Sequence, residues 1–159
     1  PSLASHLVVA IFLLLSSPLS GQEAAEVNWL TFAALEDSLA AKPKKVLVNF
    51  YTSWCTYCRK MDKTVFTKPT VVSRLNEDYY AVRFNAETDT TVHFGGQAFI
   101  NDQLGKSRNP VHQIAQLLAL RDDRFTAPTL VFLDEEFSVS ARYFTYLDSK
   151  RLLKILTEE

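Results

Sequence analysis

Residues 46–51, Val46-Leu47-Val48-Asn49-Phe50-Tyr51, are a run of strand formers that ends three residues before Cys55-Thr56-Tyr57-Cys58. No other stretch narrows the possible folds as much. The run is apolar on both faces apart from Asn49, as a central strand covered on both sides must be. Thr52-Ser53-Trp54-Cys55 reads as the turn that follows, and residues 56–66 read as a helix. A buried strand that turns directly into a helix is the opening of a βαβ unit, which places the chain in the α/β class.

The same stretch carries the chemistry. A helix that separates two cysteines by three positions brings their sulfurs within reach of a disulfide across one turn. The first sulfur stands where unsatisfied N–H groups and the helix dipole favour an anion. Cys55 is therefore expected to have a lowered pKa and to be the exposed nucleophile. Cys58, one turn in, is expected to be buried and to resolve a mixed disulfide. Trp54 would shield the pair. These are the only two cysteines of the 159 residues, which excludes a framework of several disulfides and a four-cysteine zinc site. The zinc reading lacks its other half, since His93 and His112 stand 19 residues apart and His6 lies in an apolar leader. No metal is expected.

The rest of the chain continues the alternation. Residues 29–41 have near-helical apolar spacing with Thr31 as a candidate N-cap, and 71–76 read as a short helix. Residues 79–84 read as a second strand. Residues 91–100 alternate around Gly95-Gly96, a hairpin signal because both turn positions need positive φ. Residues 110–120 read as a helix with Pro110 in its first turn. Residues 129–133 and 139–144 are two further strands, and Asp148 caps a last helix over 149–156.

Charge separates the chain into two parts. Lys+Arg number 17 and Asp+Glu 18, a net charge of −1, so there is no basic surplus to neutralise phosphates and no nucleic-acid partner is expected. All of these charges lie in 23–159. The first 22 residues have none and contain nine consecutive apolar residues from Leu7 to Leu15, then Ser16-Ser17-Pro18-Leu19-Ser20-Gly21-Gln22. The apolar run is short of the ~20 residues of a spanning helix. It reads as the core and cleavage region of a signal peptide, which predicts export, in bacterial terms to the periplasm, with cleavage favoured over anchoring.

Residues 46–61, VLVNFYTSWCTYCRKM, resemble the active-site strand, turn and helix of the thioredoxin superfamily. Ala127-Pro128-Thr129 followed by Leu130-Val131-Phe132-Leu133-Asp134 resembles that family's cis-proline segment. The two motifs occur in the family's order, and the likeness covers most of 27–159. Phe94-Gly95-Gly96-Gln97-Ala98-Phe99 with His112-Gln113-Ile114-Ala115 is similar to a branch of exported thioredoxin-like proteins in Bacteroidetes. Lys60-Met61 is similar to the soluble reductant domain of bacterial transmembrane thiol-disulfide interchange proteins.

The resemblance implies a thioredoxin fold over 23–159 behind a signal peptide at 1–22. A central mixed sheet would be flanked by helices, with an inserted hairpin or loop at about 88–109. It implies a disulfide oxidoreductase that uses Cys55 and Cys58 and needs no cofactor beyond that redox pair. Trp54, Thr56, Tyr57, Ala127 and Pro128 would bind substrate. Pro128 would be cis, with the Ala127 backbone beside the sulfurs to pair with an extended client strand. The implied partners are protein thiols or disulfides and a transmembrane thiol donor, with reduction the favoured direction. The other class in play is a non-catalytic binding or chaperone module with a structural disulfide.

The departures from the family are informative. Asn49 stands where thioredoxins usually carry a buried Asp, and Arg83 where they carry a Lys. An amide does not titrate, so Asn49 cannot assist proton transfer from the resolving thiol, which leaves that part to a water or to another carboxylate such as Glu87. Bulky residues over 143–146 replace a usual Gly and imply a narrower, more aromatic groove. The pair Thr56-Tyr57 leaves redox direction open. Phe94 and Phe99 are candidates for a client-binding lip, and Arg121-Asp122-Asp123-Arg124 for a solvated loop bordering the groove.

Overall fold

The structure, a computed structural model, describes residues 26–158. The signal-peptide reading of 1–22 lies outside the described residues. A five-stranded sheet runs in the order β1 (Trp29–Leu30), β3 (Tyr79–Asn85), β2 (Lys45–Tyr51), β8 (Thr129–Leu133), β9 (Val139–Tyr143). β3 is parallel to both β1 and β2, whereas β8 is antiparallel to β2 and β9. The sheet is mixed and carries helices on both faces, as expected.

β2 is central because its side chains suit no other place. Val46, Leu47, Val48 and Phe50 are all 0% exposed. Val46, Val48 and Phe50 point into one core layer with Phe32, Leu35 and Ile114, from α1 (Phe32–Ala41) and α4 (Gln113–Leu118). Leu47 points into the other, with Met61 of α2 (Thr56–Thr64), Leu75 of α3 (Pro69–Asp78) and Leu152 of α5 (Ser149–Glu158). Strand alternation places buried Asn49 on that second face.

Helix starts follow local chemistry. Thr31 caps α1, its hydroxyl accepting the Ala34 N–H at 3.2 Å. Pro69 opens α3, and Asp148 accepts the Arg151 N–H at 2.8 Å ahead of α5. Among the described residues, no helix is long and apolar enough to cross a membrane.

Several expectations are corrected. Trp29 and Leu30 are not helical but form β1, paired with Ala81 and Val82. Trp29 packs edge-on to Phe66 at 5.0 Å while Leu30 joins the opposite layer, so their apolar period is two. α4 starts at Gln113, not at Pro110. The His112 N–H is already given to Ala86 O at 2.7 Å and the Gln113 N–H to Ile100 O at 3.0 Å, so His112 becomes the N-cap. Arg121-Asp122-Asp123-Arg124 is solvent-exposed and borders the cleft beside Trp54, as expected, but it has more order than a loop. It is the turn of a hairpin, β6 (Leu120–Arg121) with β7 (Arg124–Phe125), in which Asp122 and Asp123 take φ of 51° and 58°.

The Gly95-Gly96 hairpin forms between β4 (Val92–Phe94) and β5 (Gln97–Phe99), with φ of 61° and 72° at the glycines. Phe94 and Phe99 do not form a client lip. They pack against the α1 side of the core, with Phe94 5.5 Å from Phe32 and 5.2 Å from Phe137.

Candidate active site

The site is built at the end of β2. The strand's last hydrogen-bonded residues deliver the chain into a turn closed by the Cys55 N–H on Thr52 O at 3.2 Å. Cys55 is the N-cap of α2, and its sulfur accepts the Cys58 N–H at 3.0 Å. The cysteines are joined as a disulfide, with S–S 2.09 Å and Cα–Cα 5.3 Å. A sulfur that already accepts a backbone N–H at a helix start is held where a thiolate is favoured once the bond is reduced.

One expectation fails here. Cys55 is not the exposed member of the pair, because both cysteines are 3% exposed. The capping geometry turns the Cys55 side chain back over the first turn of α2. Exposure belongs instead to Trp54 and Tyr57, at 60% and 59%. Thr56 is also exposed, and its hydroxyl accepts from Arg59 at 3.2 Å, while Arg59 also donates to Ser53 O at 2.9 Å and clips the turn to the helix. Thr52 is buried, and its hydroxyl is the one buried side-chain polar atom without a hydrogen-bond partner among the described residues. Such a group costs roughly 1–3 kcal/mol.

The Ala127–Pro128 peptide is cis. Pro128 is buried and directly precedes β8, whose Thr129 pairs with Phe50 near the end of β2, so the register sets Pro128 beside the turn that carries the cysteines. The Thr129 hydroxyl donates to Thr126 O at 2.6 Å and holds the segment in place. Ala127 is half-buried and lines a cleft of about 340 Å³ together with Trp54, Glu87, Gln103 and Arg124.

The polar groups that sequence reasoning weighed have definite partners. Glu87 is bound to the Trp54 indole. Its two carboxylate oxygens accept the Trp54 indole N–H at 3.1 and 3.0 Å. Arg83 binds Asp62 of α2 at 2.7 Å, and its guanidinium stacks on the Tyr51 ring at 3.8 Å. Tyr57 lies against Tyr146, with centroids 5.8 Å apart, and the Lys60 ammonium sits 4.9 Å over the Tyr146 ring. The bulk expected in place of the usual Gly is thus a wall beside the second inter-cysteine residue. Asp62 went unassigned in the sequence. The signal for Asp62 was its place one turn beyond Cys58, on the same helix.

The histidines lie apart from this chemistry. His93 is exposed on β4. His112 is 0% exposed, with Nδ1 accepting the Ile114 N–H at 3.2 Å and Nε2 facing Thr90 O at 3.1 Å. That pairing fixes the neutral tautomer protonated on Nε2, and burial pushes the imidazole pKa below its ordinary value.

The chain belongs to the thioredoxin-like domain family, whose profile matches residues 32–158. Among curated proteins, the thiol:disulfide interchange protein DsbD of Pseudomonas fluorescens is 42% identical over 41 residues, which are 26% of this chain and 7% of that protein. The likeness therefore reaches only a small part of that relative. Among solved structures, a DsbH oxidoreductase superposes with a TM-score of 0.58 at 18% identity, covering 92% of this chain and 90% of that one. A thioredoxin from Thermus thermophilus gives 0.57 at 22%, over 84% and 86%. The oxidised C-terminal domain of Neisseria meningitidis DsbD gives 0.54 at 18%, over 79% and 90%. At these identities the structural likeness is one of fold.

Proposed function

We propose that this thioredoxin-like disulfide oxidoreductase reduces protein disulfides outside the cytoplasm. The observation that carries the reading is the Cys55–Cys58 disulfide at the N-cap of α2, with the Cys58 N–H already on the Cys55 sulfur. In the reduced chain, the Cys55 thiolate attacks one sulfur of a client disulfide. The client S–S bond breaks, a Cys55–client bond forms, and the displaced client thiolate takes up a proton. Cys58 loses its proton and attacks Cys55. This re-forms the intramolecular disulfide and releases the second client thiolate, which is protonated in turn. Two electrons pass from the pair to the client, and an external dithiol donor restores them.

Exchange and location are supported by different features. Thiol-disulfide exchange is supported by the 41-residue likeness to a protein named for thiol:disulfide interchange, and we take reduction as its direction. Export is supported by the uncharged leader, which we take as a signal peptide over 1–22 ahead of a domain over 23–159 with its insertion at about 88–109. A transmembrane thiol carrier would then supply electrons. The Ala127 backbone would pair with an extended client strand, and Trp54, Thr56 and Tyr57 would contact it.

Cys58→Ser tests the exchange steps. The reduced variant mixed with a disulfide-bonded protein such as insulin is expected to accumulate a Cys55-linked mixed disulfide, seen as a mass increase that dithiothreitol reverses. Absence of any adduct, with wild type also unable to reduce insulin, would leave the disulfide a structural staple.

A further inference from the structure

The two sides of the sheet give the cysteine pair different neighbours. On the side of α3 and α5, Tyr146 packs against the layer that holds Leu47 and Met61, with Tyr57 on its ring and Lys60 over it. Ring against ring, topped by a cation, leaves that flank filled. On the side of α1 and α4, Val111 and Phe125 pack against the opposite layer. There the cleft of about 340 Å³ opens, bounded by Trp54 and Ala127, within the size of ordinary ligand clefts.

The cleft's charges are uneven. Glu87 and Asp123 line it, with Arg124 as its cation. Asp102 holds the lining Gln116 by accepting its Nε2 at 2.8 Å. Lys106 and Arg108 stand exposed on the neighbouring loop but do not line the cleft. Among the residues that line the cleft, two carboxylates therefore stand against one guanidinium.

We propose that the client segment beside the reacting cysteine lies in this cleft, with the Tyr57–Tyr146 wall as its far edge, and that Glu87 and Asp123 favour segments carrying lysine or arginine there. This rests on the reading of the pair as a reductant and adds the class of client it selects. Trp54 sits at the boundary, held by Glu87, so the carboxylate that positions the indole also meets the client's charge.

The test uses two peptide disulfides of equal length, one with lysines and one with glutamates beside the cysteine. Each is presented to the fully reduced protein. The basic peptide is expected to react about two- to fivefold faster, the scale of exposed charge pairs. That advantage should shrink as salt rises. In the double variant Glu87→Gln, Asp123→Asn, the ratio should fall to about one, while the amide oxygen introduced at position 87 can still accept the Trp54 N–H. Equal rates in wild type, a preference for the acidic peptide, or a ratio unmoved by both salt and the double variant would overturn the proposal. Should both peptides and oxidised glutathione go unreduced by wild type, the reductant reading itself falls and this inference with it.

Discussion

The two small hairpins close in the same way and do different work. Each turns through two residues at positive φ, Gly95-Gly96 in one and Asp122-Asp123 in the other. The glycine hairpin is bound to the scaffold. Phe94 lies edge-on to Phe32, and the Gly95 N–H donates to Glu36 at 2.9 Å. The aspartate hairpin has strands of two residues each and exposes all four residues of its turn, and Asp123, Arg124 and Phe125 face the cleft beside Trp54. Glycine adopts the left-handed conformation without steric cost, whereas aspartate is strained there but brings a carboxylate. The strain sits where the side chains matter.

Substitutions can break that contrast. Phe94→Ala should cost roughly 2 kcal/mol, below the ~3–5 kcal/mol of a fully buried phenylalanine because Phe94 is only half-buried. Chemical denaturation checks it, and activity per folded molecule should hold. Gly96→Ala should cost about 1 kcal/mol from backbone conformation alone, since an added Cβ at φ +72° meets nothing within 4 Å. At the other hairpin the sign reverses. Asp123→Gly should raise stability by up to about 1 kcal/mol and reduce the preference for basic clients. A loss of stability there would mean that the aspartate's side chain compensates for its backbone.

The smallest expected effect lies between the hairpins, at His112, which ties Thr90 to the start of α4. Burial lowers its pKa in the folded chain, so between that value and the ordinary 6.5 the unfolded chain binds the proton and the folded chain does not. Stability is fully present above about 6.5 and declines as pH falls below it. Denaturation midpoints at pH 7.5 and 5.5 should differ in that direction, and less so in His112→Gln.

What could be read from the sequence was what local pattern carries. β2 announced itself by strand formers on both faces, Gly95-Gly96 by its required φ, and the cysteine pair by its spacing after a strand. β1 could not be read, because two residues become a strand only through pairing with β3. The Asp122-Asp123 turn looked like any solvated charge cluster, since aspartate enters the left-handed region only where its surroundings require it. Glu87 was one candidate for proton transfer, and tertiary placement gives it the Trp54 indole. Cys55 was expected to be exposed, and its capping bond buries it.

The central claim is that the Cys55–Cys58 pair is a working and reducing couple. Equilibrating the protein with glutathione buffers and measuring the fraction of disulfide tests it directly. The expected result is reversible exchange with a potential on the reducing side of glutathione, near the ~−270 mV of thioredoxins. A pair that never exchanges, or one poised near the ~−120 mV of a strong oxidant, would contradict it.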